Sequence, residues 1–122
     1  AKMVKSTVYE DVSNISGVPS WTLVLLKKML TTYKKENILE IWPNLELYMH
    51  GGVNFEPYKK QFEALIPSKS FNYYQNYNAS EGFFGIQNLS KVDDMLLMLD
   101  YGIFYEFIDV ADIDKDNPQV IA

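Results

Sequence analysis

Between residues 45 and 77 the chain changes its hydrophobic period twice, and this limits the possible folds more than any other feature. Leu45, Leu47 and Met49 alternate with Glu46, Tyr48 and His50, the period of a strand. His50-Gly51-Gly52 ends that run. Phe55, Tyr58, Phe62, Leu65 and Ile66 then recur at helical spacing, so a helix is expected over residues 55–66, with Asn54 as its cap. Glu56 and Lys60 form a favourable i,i+4 pair on its outer side, and Pro67 stops it. A second strand is expected over residues 71–77. Two strands joined through a helix are parallel, with a right-handed crossover.

The flanking segments read differently. Residues 3–12 are weakly helical and residues 13–17 read as a break. Pro19 and Ser20 sit where a helix starts, and residues 21–35 place Leu23, Leu26, Leu30 and Tyr33 on one stripe. Leu25 and Met29 widen that stripe, making it broader than a small surface helix needs. Self-association through this helix, from Trp21 to Leu30, follows as an expectation. Past Gly82, strands are expected in quick succession at residues 83–87, 95–100 and 103–110, and the short links make them antiparallel. Residues 111–122 are polar and acidic and are expected to fray. The expected fold class is α/β: helical over 1–36, βαβ over 37–82, antiparallel strands over 83–110 and an acidic tail over 111–122, all in one domain.

Composition narrows the function classes. With 122 residues the chain is one domain's worth, long enough to bury a core without staples. Aromatic residues make up 15% and charged ones only 22%, so the chain is not disordered. No cysteine means no disulfide, no thiolate zinc site and no cysteine nucleophile. A net charge of −5 argues against nucleic acid as a partner, since phosphate neutralisation needs clustered Lys and Arg. No apolar run approaches the length of a membrane span, and the first ten residues lack the apolar stretch of a signal peptide. A cytoplasmic domain without membrane contact is expected.

In open α/β sheets, ligands sit beyond the carboxyl ends of the parallel strands. One such end is His50-Gly51-Gly52-Val53 and the other is Tyr77-Asn78-Ala79-Ser80-Glu81-Gly82. The glycines let a flat ligand lie against bare backbone. The second loop offers a ring, a hydroxyl and a carboxylate within a few residues, a combination that suits a nucleotide with Mg²⁺.

The runs GVPSWTLVLLKKML (17–30), IWPNLELYMHGGVNFEPY (41–58), YNASEGFFGIQ (77–87) and MLLMLDYGIFYEF (95–107) carry a resemblance. The chain resembles the auxin-responsive acyl-acid amido synthetases, in particular their bacterial-type members, within the acyl-adenylate-forming enzymes. The resemblance implies a two-step ligase with ATP and Mg²⁺ as cofactors and a carboxylic acid and an amino acid as substrates. It further implies that Tyr77 packs on adenine, Ala79 is the small residue before the phosphate contact, Ser80 hydrogen-bonds the α-phosphate and Glu81 ligates Mg²⁺. Gly51 and Gly52 match the glycine loop on the other face of the adenine, and Phe83 and Phe84 would lie beside the acyl pocket. The family's phosphate loop, ribose-gripping motif and lysine-bearing lid domain have no counterpart in these residues. An internal fragment of the N-terminal domain, inactive alone, is therefore expected.

Blander readings compete. His50, the only histidine, is expected to hydrogen-bond a nearby loop at its strand end. Ser80 lies in N-A-S-E-G, not in G-x-S-x-G, which argues against a hydrolase. Asp112, Asp114 and Asp116 start like a calcium loop, but Asn117 stands at its sixth position in place of glycine and Pro118 at its seventh, which argues against calcium binding. The rival function is a free-standing ligand-binding or dimerising module with the same fold and no chemistry.

Overall fold

The structure is a computed structural model that describes residues 2–90 and 92–121. Its elements run α1 (Lys2–Thr7), β1 (Asn14–Gly17), α2 (Pro19–Tyr33), β2 (Leu47–His50), α3 (Glu56–Leu65), β3 (Asn72–Ala79), β4 (Gly82–Ile86), β5 (Leu96–Leu97), β6 (Phe107–Ile108) and β7 (Val120–Ile121), with short 3-10 turns at Ile38–Glu40 and Val110–Asp112. The fold is α/β, and strands β1 to β5 form one sheet in sequence order. The first three are parallel and the β3–β4 and β4–β5 pairs are antiparallel.

The parallel part is larger than the sequence pattern suggests. Residues 13–17 are not a break: Asn14–Gly17 pairs with Leu47–His50, so the unit is β1-α2-β2-α3-β3. Its four residues carry one isoleucine among Asn, Ser and Gly, too little apolar content to show a strand's period. Helix α1 correspondingly ends at Thr7, short of the expected residue 12. Since the strand order advances steadily and parallel crossovers are right-handed, both crossover helices fall on one face of the sheet. Tyr48 and Tyr73 lie on that face, paired with Ile15 in register.

Helix α2 begins at Pro19, whose missing N–H costs nothing in a first turn. It ends where Lys34 turns into the left-handed region, with φ 53°, and donates its N–H to the Leu30 carbonyl. It buries Leu23, Leu26 and Met29 together with Thr22, whereas Leu30 and Tyr33 are only half-buried. Helix α3 buries Phe62 and Ile66 follows it into the core. Asn54 accepts the Glu56 N–H but stands one residue outside the geometric cap, Phe55. The ion pair of Glu56 forms with Lys59, not Lys60. Between the helices and the sheet, Tyr48 stacks on Phe62 with ring centroids 4.6 Å apart and donates its hydroxyl to the Gly17 carbonyl at 2.8 Å.

The C-terminal third departs most from expectation. The third antiparallel strand expected over residues 103–110 does not join the main sheet. Phe107–Ile108 instead pairs with Val120–Ile121 in the expected tail, as a separate two-stranded ribbon. Asp109 caps the turn inside it by accepting the Ala111 N–H. The 95–100 strand shrinks to Leu96–Leu97. No helix among the described residues is long and apolar enough to cross a membrane.

Candidate functional site

Strands β2 and β3 are parallel with His50 opposite Gln75, so both carboxyl-end loops stand at one edge of the sheet. They are not level. Strand β3 continues four residues past Gln75 to Ala79, where Ser80 and Glu81 form a two-residue turn into β4. The glycine loop meets the flank of this arm. Gly51 is buried so tightly against Asn76 that a Cβ there would lie 2.5 Å from the Asn76 carbonyl oxygen. Only a glycine permits that approach. Gly52 follows with φ +80°, exposed, with Val18 its nearest neighbour apart from the adjoining residues.

The candidate residues of the arm are solvent-facing. Tyr77 is half-exposed, and its ring packs against Phe84 at a centroid distance of 5.3 Å. Ala79, Ser80 and Glu81 are exposed at the tip. The register shifts between Tyr77 and Asn78 so that Phe84 is the extra residue of a bulge in β4. Phe83 faces Tyr101 and Phe84 faces Tyr105, both at edge-on angles, and the Tyr105 hydroxyl donates to the Met98 carbonyl. The structure therefore sets Gly51 against Asn76, the residue before Tyr77, leaves Gly52 beside Val18 and the Tyr77 ring against Phe84, and carries Ser80 and Glu81 outward. From Asn76 to Ser80 the arm spans about 13 Å at the rise of an extended strand.

His50 does not make the loop hydrogen bond expected of it. The side chain is 4% exposed, its ring stacks on Phe55 at 4.0 Å, and its Nδ1 has no partner among the described residues. Burial pushes its pKa down to about 4, so the imidazole is neutral at physiological pH. The Tyr73 hydroxyl is likewise buried without a partner, and burial together with the nearby Glu63 carboxylate raises its pKa to about 12.

Both side chains line a cleft of about 650 Å³ between the start of α3 and a wall that includes Gln87, Ser90 and Asp93. Gln87 holds its far wall: its Oε1 accepts the Gln75 N–H at 2.9 Å, and its Nε2 donates to the carbonyls of Leu89 and Val92. Sequence reasoning missed Tyr73, Gln75 and Gln87. The signal available was the shared parity of Tyr48, His50, Tyr73 and Gln75 once the β2–β3 register is known.

Residues 1–71 match the GH3 family N-terminal domain. No curated protein and no solved structure gives a match. The matched stretch takes in β1, α2, β2, α3 and the glycine loop, and stops before Tyr77 and the hairpin turn. Because it covers more than half of the chain, the protein belongs to the GH3 family, the auxin-responsive acyl-acid amido synthetase type.

Proposed function

We propose that this chain carries part of the nucleotide site of an ATP-dependent acyl-acid amido synthetase of bacterial type, and works within a longer enzyme. The observation that carries the reading is the contact of Gly51 with Asn76. It sets a bare glycine backbone beside the root of an arm whose next five residues are Tyr-Asn-Ala-Ser-Glu. Adenine would lie between Gly51-Gly52 and the Tyr77 ring, and the phosphates would follow the arm to Ser80 and Glu81. The arm's length from Asn76 to Ser80 is on the scale of a nucleoside monophosphate. Mg²⁺, when bound, neutralises phosphate charge, and the exposed Glu81 carboxylate is a fitting oxygen ligand for it.

In this reading a carboxylate oxygen attacks the α-phosphorus and pyrophosphate leaves, giving an acyl-adenylate. An amino acid's amine then attacks the acyl carbon and AMP leaves with the bonding pair, giving the amide. The Ser80 hydroxyl would donate to an α-phosphate oxygen as charge builds there, which helps only if donors are preorganised on both sides of the phosphate. This chain supplies one side, so it binds nucleotide weakly and releases no pyrophosphate alone. Phe83 and Phe84 would border the acyl group, a position that suits an aromatic or otherwise apolar acid.

Titrating the chain with AMP and with Mg·ATP tests this. Tyr77→Ala should weaken both ligands, and Glu81→Ala should weaken Mg·ATP while sparing AMP. Absence of any nucleotide effect on the glycine loop or the arm would overturn the site. Pyrophosphate release by the chain alone, abolished in Glu81→Ala, would overturn its incompleteness. A second reading, a self-associating module without chemistry, draws on one observation: Trp21 and Val24 stand exposed on α2 and line a groove together with Met3, Val18 and Leu25.

A further inference from the structure

We propose that Gln87 is the positioning residue of the candidate nucleotide site: its side-chain amide fixes the direction of the arm that carries Tyr77, Ser80 and Glu81, without itself meeting the nucleotide. The ligand in this proposal rests on the synthetase reading, whereas the clamp on the arm does not. Strand β3 changes neighbours partway along. Asn72–Gln75 is in register with β2, and Asn76–Ala79 is in register with β4. The two ladders do not overlap, so ladder pairing ties the arm to the parallel part of the sheet only through the β3 main chain.

Gln87 bridges that gap. It stands one residue past the end of β4 and, continuing the β3–β4 register, opposite Gln75. Its main-chain N–H donates to the Gln75 carbonyl at 2.8 Å, as an antiparallel pair requires. The return bond is different. The Gln75 N–H donates to Gln87 Oε1 at 2.9 Å, so the side chain takes the place of the ladder carbonyl. Nε2 of the same amide donates to the Leu89 and Val92 carbonyls at 3.2 and 2.7 Å. A reversed amide would set N–H against N–H and an oxygen against two carbonyls, so these three bonds fix its orientation.

Gln75 lies opposite His50 in the β2 register, and Asn76, the next residue, touches Gly51. Gln87 therefore clamps β3 at the point where the arm leaves the glycine loop. Without the side chain the Gln75 N–H loses its partner, and the arm can swing about the link between Gln75 and Asn76. A ligand that needs the glycine loop and Tyr77 at once then meets a competent arrangement in only a fraction of the molecules. Its apparent affinity falls by that fraction.

Two substitutions separate the ends of the amide. Gln87→Glu keeps the length and an acceptor for the Gln75 N–H, but sets an oxygen against the Leu89 and Val92 carbonyls. Gln87→Leu removes both functions. Wild type and both variants, labelled with nitrogen-15, are compared by heteronuclear NOE over residues 77–82, by exchange of the Gln75 amide and by titration with AMP. Urea unfolding of each gives its global stability.

In Gln87→Leu the NOE values of the arm should fall, the Gln75 amide should exchange about tenfold faster and AMP should bind about tenfold more weakly. Gln87→Glu should rescue the arm and bring AMP affinity to within about twofold of wild type, while the Leu89 and Val92 contacts and the stability they supply are still lost. The proposal is overturned if Gln87→Leu leaves the arm as ordered as in wild type, or if AMP affinity simply follows global stability across the three chains. A wild type that fails to bind AMP, with an arm that Gln87→Leu still loosens, would fail the synthetase reading and keep the clamp. Equal AMP binding by all three chains would keep that reading and overturn the positioning role.

Discussion

At the scale of single residues, Gly51 joins fold and candidate site. Its missing Cβ lets β2 hand over to the glycine loop while touching the Asn76 backbone, and a carbonyl cannot swing aside as a side chain can. Gly51→Ala should therefore destabilise the chain by about 2–3 kcal/mol, the upper part of the range for overpacking a tight contact. Gly52→Ala strains only a positive φ and should cost about 1 kcal/mol; urea unfolding of both variants checks the order, and equal losses would contradict it. His50 makes a pH prediction. Its pKa is about 4 in the folded chain and about 6.5 unfolded, so the unfolded chain takes up this proton first as pH falls. Stability is thus full above pH 6.5 and falls towards pH 4, by roughly 3 kcal/mol from this group. Glu56, Lys59, Lys69 and Asp93, which line the same cleft, are unchanged in His50→Gln, so the difference between the two pH profiles isolates the imidazole. Parallel profiles between pH 6.5 and 4 would show that His50 is not held neutral. Gly51, Gly52 and Tyr77 were legible as candidates because residue type alone says what a bare backbone or a ring can do. The cleft was not legible, since pairing His50 with Gln75 and Tyr48 with Tyr73 needs a register that no local pattern encodes.

At the scale of elements, legibility followed apolar content. Helix α3 and strand β2 each carry a clear period, and their centres were placed correctly with ends off by one or two residues. Strand β1 has no such period, because it is an edge strand with exposed Asn14 and Ser16; its pairing with β2 comes from backbone hydrogen bonds. Strands β6 and β7 failed for another reason: Phe107 and Ile108 look like strand residues, and what they pair with lies twelve to fourteen residues on, across a capped turn. These strands have two residues each, all exposed, whereas Tyr48, Phe62 and Leu26 are fully buried around β2. A two-stranded ribbon of that length is marginal in water. Amide hydrogens of Phe107, Ile108, Val120 and Ile121 should exchange orders of magnitude faster than those of Tyr48 and Tyr73, which open only on global unfolding. Hydrogen exchange read by mass spectrometry checks this, and comparable protection would mean that the ribbon is part of the same cooperative unit.

At the scale of the whole molecule, one-sided crossovers leave a lopsided structure. Both long helices cover one sheet face, while the other presents Asn14, Ser16, Leu47, Met49, Asn72 and Tyr74, none of them buried. Helix α2 is apolar on both sides. Its inner side fills the core, and its outer side leaves Trp21 76% and Val24 64% exposed. Both are part of the wall of a groove of about 400 Å³, together with Met3, Val18 and Leu25. An exposed apolar patch of this kind can meet its own copy across a two-fold, because each copy brings the same surface. A second copy of this chain is therefore the occupant we expect, with the Trp21 ring of one copy in the groove of the other. The two tryptophans make the test selective, since Trp42 is already buried and donates its Nε1–H to the Thr7 carbonyl. Acrylamide quenching of fluorescence reports Trp21 almost alone. Quenching should fall as protein concentration rises while the sedimentation mass approaches that of a dimer, and Trp21→Glu should hold the chain monomeric. A mass that rises with Trp21 still fully quenchable would move the contact elsewhere, to the exposed Leu96, Leu99, Phe104 and Phe107 near the ribbon. A mass that stays monomeric at every concentration would remove self-association, and with it the observation favouring a dimerising module over a synthetase component.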